Sequence, residues 1–295
     1  MMEMKDLQYF IKVVEHGSFT KAAADTYLSQ PTLSKSIKKL EMELKVQLLE
    51  RSTRSLKLTD AGLVVYKQGQ EILRAAKELR ILLDETRNLP TGEIKFGVPP
   101  IVGTLFFPSI AKNFREKHPH VSLELIEVGA KKTEKLVEEG QVDVGIIALP
   151  TDTSKFNVST FIKEEFMIYK SVDDSLAYNE PVKLEQFAHE DFIILTKEFT
   201  TREMIIQACQ KAGFSPKIVY ESSQWDLIME LVSNKLGVTL LPKSIYKKVN
   251  KMKIKAIPLQ SSPLWELGII TRKDSYQSFA VKALLHFLNE YPDNQ

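Results

Sequence analysis

Ser29-Gln30-Pro31-Thr32-Leu33-Ser34-Lys35-Ser36-Ile37-Lys38-Lys39-Leu40-Glu41 is the stretch on which the reading of this chain turns. Leu33, Ile37, Leu40 and Leu44 recur at spacings of four, three and four, one buried stripe on an amphipathic helix. Ser34, Lys35, Lys38, Lys39 and Lys45 occupy the other faces. Pro31 suits a first helical turn, where its missing N–H is not needed, and Ser29 or Gln30 stands where a cap is required. Upstream, Ser18 can cap a short helix over 19–26, whose Ala22-Ala23-Ala24 run lets a second helix cross closely. Two short helices joined by a turn at 27–29 make a helix-turn-helix, with Gln30, Thr32, Ser34 and Lys35 at the end that reaches base edges in the major groove. A lysine-rich helix taken alone is usually a solvated face; the small-residue helix, the turn and the Ser-Gln-Pro start favour the DNA reading.

The flanks extend this unit. Leu7, Phe10, Ile11 and Val14 predict a supporting helix over 4–15. After the recognition helix, Leu56 and Leu58 alternate between basic residues and suggest a two-stranded wing over 51–59, able to lie along a phosphate backbone; a plain basic hairpin is the competing reading. Residues 29–58 carry seven lysines and arginines against three glutamates, a local +4 in a chain of net charge +2. Total charge therefore says nothing about nucleic acid, whereas its distribution does. Thr59-Asp60 then caps a long helix to about residue 86, in which Val65, Gly69, Ile72, Ala76, Leu79, Leu83 and Thr86 form a heptad-like seam. The seam predicts a dimer, with packing on the chain's own second domain as the alternative. Pro90 and Gly92 mark a hinge-like linker over 87–92.

From Glu93 onward strands and helices alternate. Strands are predicted at 94–98, 121–128, 142–149, 166–171, 192–196, 217–220, 238–241 and 265–272, and helices at 103–117, 131–139, 202–212, 225–234 and 276–289. This is the α/β pattern with mostly parallel strands. The polar run 151–159 suggests an irregular crossing into a second lobe near 162–166, with a return near Trp265. Lobe I is expected at about 93–162 and 268–295, lobe II at about 163–267, with a ligand cleft between them.

With 295 residues and 43% hydrophobic composition, the chain can bury a core and form more than one domain. Its single cysteine, Cys209, rules out an internal disulfide and reads as a buried helical thiol. No leader-like segment or membrane-length apolar run is present, so a cytoplasmic protein without a membrane partner is expected. Gly-x-Ser-x-Gly, Gly-x-Gly-x-x-Gly, phosphate-loop and His-Glu-x-x-His strings are absent, which argues against an α/β enzyme; no metal site or cofactor is expected. His118-Pro119-His120 lacks a third ligand and reads as a surface turn. A plain solute-binding protein would use such a cleft but would not carry the N-terminal segment.

Leu7-Gln8-Tyr9-Phe10, Gly17-Ser18-Phe19-Thr20-Lys21-Ala22-Ala23, Ser29-Gln30-Pro31-Thr32-Leu33-Ser34, Ile37-Lys38-Lys39-Leu40-Glu41, Leu48-Leu49-Glu50-Arg51 and Leu58-Thr59-Asp60-Ala61-Gly62 resemble the LysR-type transcriptional regulators. Asp143-Val144-Gly145-Ile146 and Leu236-Gly237-Val238-Thr239-Leu240-Leu241-Pro242 stand where that family carries similar strings, so the resemblance spans nearly the whole chain. It implies a winged helix-turn-helix over 1–59, a linker helix and hinge over 60–92, and a two-lobed α/β effector domain over 93–295 similar to type II periplasmic binding proteins. It further implies a dimer or tetramer on double-stranded promoter DNA, a small metabolite effector, no enzymatic activity, and RNA polymerase as a candidate partner. Matching positions give Gln30, Pro31, Ser34 and Lys35 for the recognition helix and Arg54 for the wing; Thr32, Lys38 and Arg51 complete the candidate DNA set. Leu49 departs from the family's usual phenylalanine, a core position. For the effector the matching segments supply Pro100, Ile101, Thr104, Gly129, Thr196, Thr200, Thr201, Arg202, Ser222 and Trp225. The loop Pro99-Pro100-Ile101 lacks the hydroxyl common in relatives, so hydroxyls would come from Thr104, Thr196, Thr200, Thr201 or Ser222. Arg202 could grip a carboxylate through a bidentate pair or stand as an exposed first-turn arginine.

Overall fold

The computed structural model describes residues 3–51, 56–85, 92–173, 181–273 and 275–291, without side chains at 51, 77, 78 and 80–85. The chain divides into two compact units, Met1–Asn88 and Leu89–Gln295.

The first unit opens with α1 (Met4–His16), α2 (Phe19–Asp25) and α3 (Gln30–Leu44). Ser18 caps α2 by accepting from the Lys21 N–H at 3.4 Å, and Ser29 caps α3 by accepting from Thr32 N–H at 3.3 Å. Both caps satisfy first-turn donors that a helix cannot pair internally. Tyr27, at φ 55°, makes the tight turn between the two helices. Leu33, Ile37 and Leu40 are fully buried against Leu7, Phe10, Ile11, Ala22 and Ala23, the stripe that their spacing predicts. The wing strands are β1 (Leu49–Arg51) and β2 (Leu56–Leu58), paired antiparallel with Glu50 opposite Lys57. Glu41 holds the wing's base, its Oε1 accepting from the N–H groups of Leu48 at 2.9 Å and Leu49 at 3.3 Å. Thr59 caps α4 (Asp60–Glu85) by accepting from Gly62 N–H at 2.9 Å.

The seam predicted on this long helix divides in two. Gly69 faces α1 so closely that an added Cβ would lie 2.8 Å from the Leu7 side chain, and Val65, Tyr66 and Leu73 join the core of the same unit. The predicted seam therefore starts by covering its own helix-turn-helix. Leu83 and Thr86 of the seam, and the predicted linker apart from Gly92, lie outside the described side chains. Val64, Ile72 and Leu79 remain exposed, spaced eight and seven apart.

The second unit contains β3 (Gly92–Val98), α5 (Pro100–Lys117), β4 (Val121–Glu127), α6 (Ala130–Glu138), β5 (Val144–Ala148) and β6 (Phe156–Ser171), then β7 (Asp191–Leu195), α7 (Thr200–Lys211), β8 (Lys217–Ser222), α8 (Trp225–Ser233), β9 (Thr239–Pro242), β10 (Ile254–Pro258), β11 (Leu264–Arg272) and α9 (Phe279–Asn289). A seven-stranded sheet runs β10-β6-β11-β5-β3-β4, with β9 also on β6, while β7 and β8 form a separate pair.

Three expectations are corrected. The sheet is mixed rather than mostly parallel: β3–β4, β3–β5 and β7–β8 are parallel, but β5–β11, β6–β11, β6–β10 and β6–β9 are antiparallel. β6 begins at Phe156, so the second half of the run read as irregular is strand, its polar residues lying on the less buried side. The C-terminal helix starts at Phe279, where Ser278 accepts from Val281 N–H at 3.1 Å, rather than at 276. β6 and β11 form one antiparallel ribbon through both lobes, and its register shifts between Leu267 and Gly268, opposite Ile162 and Thr160. Such an irregularity bends a ribbon locally. The lobe crossing is thus a paired strand ribbon, which neighbouring apolar positions alone did not reveal.

Candidate functional site

In the DNA-binding unit, the first turns of α3 present Gln30, Pro31, Thr32, Lys35 and Lys38 to solvent, and Ser34 is half-buried. Thr20 Oγ1 donates to Gln30 Oε1 at 3.5 Å, and the Ser29 and Thr32 hydroxyls lie 2.7 Å apart. An amide in this position can make the paired donor and acceptor contact that adenine offers in the major groove. Lys39 differs from its neighbours. It turns back to α1, bonded to Glu3 and 3.2 Å from Asp6, and those carboxylates hold its ammonium pKa above the usual value. Lys35 and Lys38 are therefore the α3 lysines available for phosphate. Arg51 ends β1 opposite Leu56, its side chain outside the described set, and Arg54 lies outside the described residues altogether.

In the effector unit, the loops after β3, β4 and β7 bring the N-termini of α5, α6 and α7 to one small cavity of about 20 Å³. Pro99 caps α5 and Ile101 and Val102 lie in its first turn, Ala130 begins α6, and Phe199 caps α7, whose first turn adds Thr200 and Thr201; Ala148, Trp265 and Leu267 complete the lining. Gly129, just before α6, approaches α7's own loop, since an added Cβ would lie 3.8 Å from the Glu198 carbonyl oxygen. The cleft is closed. Of the predicted effector residues, Ile101, Thr200 and Thr201 line it, Pro100 stands in the first turn of α5 beside it, and Thr104 is exposed one turn further on. Thr196, at the end of β7, donates its N–H to Ser222 O at 3.1 Å, while its buried hydroxyl has no partner.

Two of the remaining candidates serve the fold and a third is corrected outright. Ser222 Oγ accepts from Gln224 N–H at 3.0 Å, and Trp225 packs on the main core at the start of α8. Arg202 is 6% exposed, and its Nη1 donates to Leu195 O at 3.0 Å and pairs with Glu221 Oε1 at 2.8 Å. Neither the carboxylate grip nor the exposed arginine matches this geometry: the guanidinium ties α7 to β7 and β8. Phe199, Ala148, Trp265 and Leu267 are lining residues that sequence reasoning missed. They are apolar, contributed by distant segments, and carry no local signal. A larger hollow of about 620 Å³, lined by residues such as Lys183, Met204, Lys211 and Ser262, lies away from all the predicted positions.

Cys209 is fully buried in α7, and burial pushes its thiol up to about 12. A thiol so raised is protonated at neutral pH and a poor nucleophile. His118 stacks against Phe114, ring centroids 4.8 Å apart, a packing role. Among the described residues, no helix is long and apolar enough to cross a membrane.

Comparison with known proteins matches both units. Residues 4–63 fit the family described as bacterial regulatory helix-turn-helix protein, lysR family, and residues 87–293 fit the LysR substrate binding domain. The HTH-type transcriptional regulator YwbI of Bacillus subtilis is 40% identical over 98% of this chain and 97% of its own length. The structure of a full-length OxyR variant from Pseudomonas aeruginosa superposes with a TM-score of 0.77 at 26% identity, covering 98% of this chain and 93% of that one. Full-length CbnR complexed with its target DNA shares the fold, with a TM-score of 0.70 at 19% identity over 98% of this chain and 99% of that one.

Proposed function

Because the chain belongs to the LysR family of transcriptional regulators, DNA-binding proteins with an effector-binding domain, we propose that a small anionic metabolite, with carboxylates the first class to test, enters the cleft between its lobes and switches its promoter binding. The observation that carries this reading is the meeting of three helix N-termini at one cavity. Their first N–H groups have no partners within the helix and form the positive end of the dipole, which favours an anion. Neither α5 nor α6 has an acidic residue in its own first turn, while Glu203 stands in that of α7 and the Glu127 carboxylate lies beside Gly103 at the start of α5. The Thr196 hydroxyl, buried without a partner at the end of β7, is a ready donor, and Thr200 and Thr201 add two more.

A cavity of about 20 Å³ has room for roughly one water, whereas metabolite sites span about 300–1,000 Å³. Binding therefore requires the lobes to part, and the shifted register between β6 and β11 is where the ribbon can bend. A ligand shifts the equilibrium only by its preference for one of the two states. On the output side, Gln30, Pro31, Thr32, Ser34, Lys35 and Lys38 enter the major groove, with Arg51 and Arg54 of the wing on the adjacent backbone. The exposed Val64, Ile72 and Leu79 stripe on α4 takes a second copy, giving the dimer, and through it a tetramer, that an inverted-repeat site calls for. RNA polymerase is the further partner of such a switch, and the cytoplasm its compartment.

Thermal-shift titration of the full chain against a panel of small carboxylates tests the site. A true effector raises Tm progressively above its Kd, by the equivalent of about 2.7 kcal/mol at a hundredfold excess. Ala130→Trp, which fills the cavity, should abolish the shift. A carboxylate that stabilises this variant as well as the parent binds elsewhere, and a panel without any shift removes carboxylates from the reading.

A further inference from the structure

The most concentrated charge in the molecule lies far in sequence from the helix-turn-helix. Residues 243–255, Lys-Ser-Ile-Tyr-Lys-Lys-Val-Asn-Lys-Met-Lys-Ile-Lys, contain six lysines and no acidic residue. That is +6 in a chain of net charge +2, so the rest of the protein carries −4. The recognition segment itself reaches only +4 over a longer span.

The structure fixes this segment on lobe II. A short 3-10 helix, Lys243–Lys247, follows β9, a turn closes at Asn250, and β10 continues from Ile254. Asn250 braces the turn: its Oδ1 accepts from Met252 N–H at 3.0 Å, and its carbonyl accepts from the N–H groups of Lys253 and Ile254 at 3.0 Å each. Ile245 and Ile254 are buried anchors on either side. Lys243, Lys247, Lys248, Lys251 and Lys253 all stand exposed, and none pairs with a carboxylate among the described residues. Lys251 rests over the Tyr246 ring at 5.0 Å. Glu164, which feels the charges of Lys243 and Lys247, is turned to Ser244, its Oε1 accepting from Ser244 Oγ at 2.6 Å and its Oε2 from Ser244 N–H at 3.1 Å. Elsewhere on the surface lysines do find acids, as Lys217 finds Asp191 and Lys235 finds Asp173. Here a turn holds five like charges together, with Glu164 the one described carboxylate that acts on Lys243 and Lys247 and no ion pair to any of the five among the described residues.

We infer that residues 243–255 form a second, sequence-independent contact for the phosphate backbone of duplex DNA, supplementing the recognition helix. This inference rests on the DNA-binding role of the family, whose ligand is the polyanion that such a surface complements. Lysines are suited to this task as point charges that release condensed counterions without reading bases.

The test uses the full chain and two duplexes, one of random sequence and one enriched from a random pool by the parent protein. The variant carries Lys247→Gln, Lys248→Gln, Lys251→Gln and Lys253→Gln. Its affinity for both duplexes should fall by the same factor, about tenfold or more at fixed salt, and the slope of log K against log salt should become shallower by about 0.9 for each phosphate that is no longer neutralised. Replacing the same four lysines with arginine should restore both. If the fourfold variant melts early, the Lys247→Gln/Lys248→Gln and Lys251→Gln/Lys253→Gln pairs carry the same test at about half the effect. A well-folded variant with the parent's affinity and slope overturns the inference. Loss of transcription in a reconstituted polymerase assay with DNA binding unchanged also overturns it, by assigning the lysines to an acidic protein face. Failure of the parent to bind DNA at all would sink the regulatory reading instead, and Gln30→Ala, which should weaken only the enriched duplex, keeps the two surfaces apart.

Discussion

The recognition helix and the inter-lobe cleft do complementary jobs with opposite construction. Every α3 residue proposed to read DNA comes from one nine-residue stretch, and Gln30, Pro31, Thr32, Lys35 and Lys38 already face solvent. The cavity lining comes from positions scattered between Pro99 and Leu267, and the lobes close it to about 20 Å³. A reading surface must meet a rigid partner and gains from being preformed. A sensing site gains from being closed, because opening it is the event that a ligand can bias.

Arg202 and Gln30 carry the two largest expected effects, one on each side of this contrast. Arg202→Met should destabilise the effector unit by about 2 kcal/mol in urea denaturation, less than the ~3–5 kcal/mol typical of breaking a fully buried pair, because the Glu221 carboxylate is 36% exposed. An unchanged midpoint would return Arg202 to the ligand's side of the cleft. Gln30→Ala should cost about 1–3 kcal/mol on an enriched duplex and nothing on random DNA. Equal losses would turn Gln30 from a reader into a backbone contact.

Neighbouring lysines on α3 give a smaller and more discriminating pair. Lys38→Gln should flatten the salt dependence of binding by about 0.9, the slope of one neutralised phosphate, whereas Lys39→Gln should leave it unchanged, since Lys39 is engaged by Glu3 and Asp6. Equal slopes for the two would erase the distinction. The smallest effect is expected at Cys209. With its thiol pushed up to about 12, roughly one molecule in ten thousand is a thiolate at pH 8, so the native chain should resist iodoacetamide and react once unfolded. The sign follows from linkage: the folded thiol keeps a proton that the unfolded chain releases, so this contribution is complete below about pH 9 and is lost as pH climbs toward 12. Rapid alkylation of the native protein would contradict the burial of α7's inner face.

The contrast also explains what could be read from the residues alone. The helix-turn-helix was legible because its determinants are local: a stripe at helical spacing, two serine caps and a small-residue helix, all of which the structure keeps. The long helix misled in part, since Val65 and Gly69 fit a dimer seam and an intramolecular contact equally well until Leu7 appears 2.8 Å from the Gly69 position. In the effector unit the helices were legible to within a few residues. The antiparallel ribbon of β6 and β11 was not, because strand direction depends on partners about a hundred residues apart. β10 escaped notice because Ile254 and Ile257 follow the lysine-rich turn with too few apolar residues to signal a strand. At the cleft, the helix N-termini around Ile101, Thr200 and Thr201 were found through resemblance. Arg202 could not be placed from the sequence, where a buried guanidinium and an available one look alike; Glu221 and Leu195 O are what distinguish them.

The coupling of the two regions is measured most directly by titrating the parent protein on its enriched duplex, with and without a carboxylate that raises its Tm, and repeating the titration with Ala130→Trp. The carboxylate is expected to shift the affinity or the footprint of the parent and to leave the variant unmoved, while both proteins read the duplex through Gln30. A carboxylate that stabilises the parent through the cleft yet leaves its DNA binding identical would contradict the claim that the closed cleft controls the exposed helix.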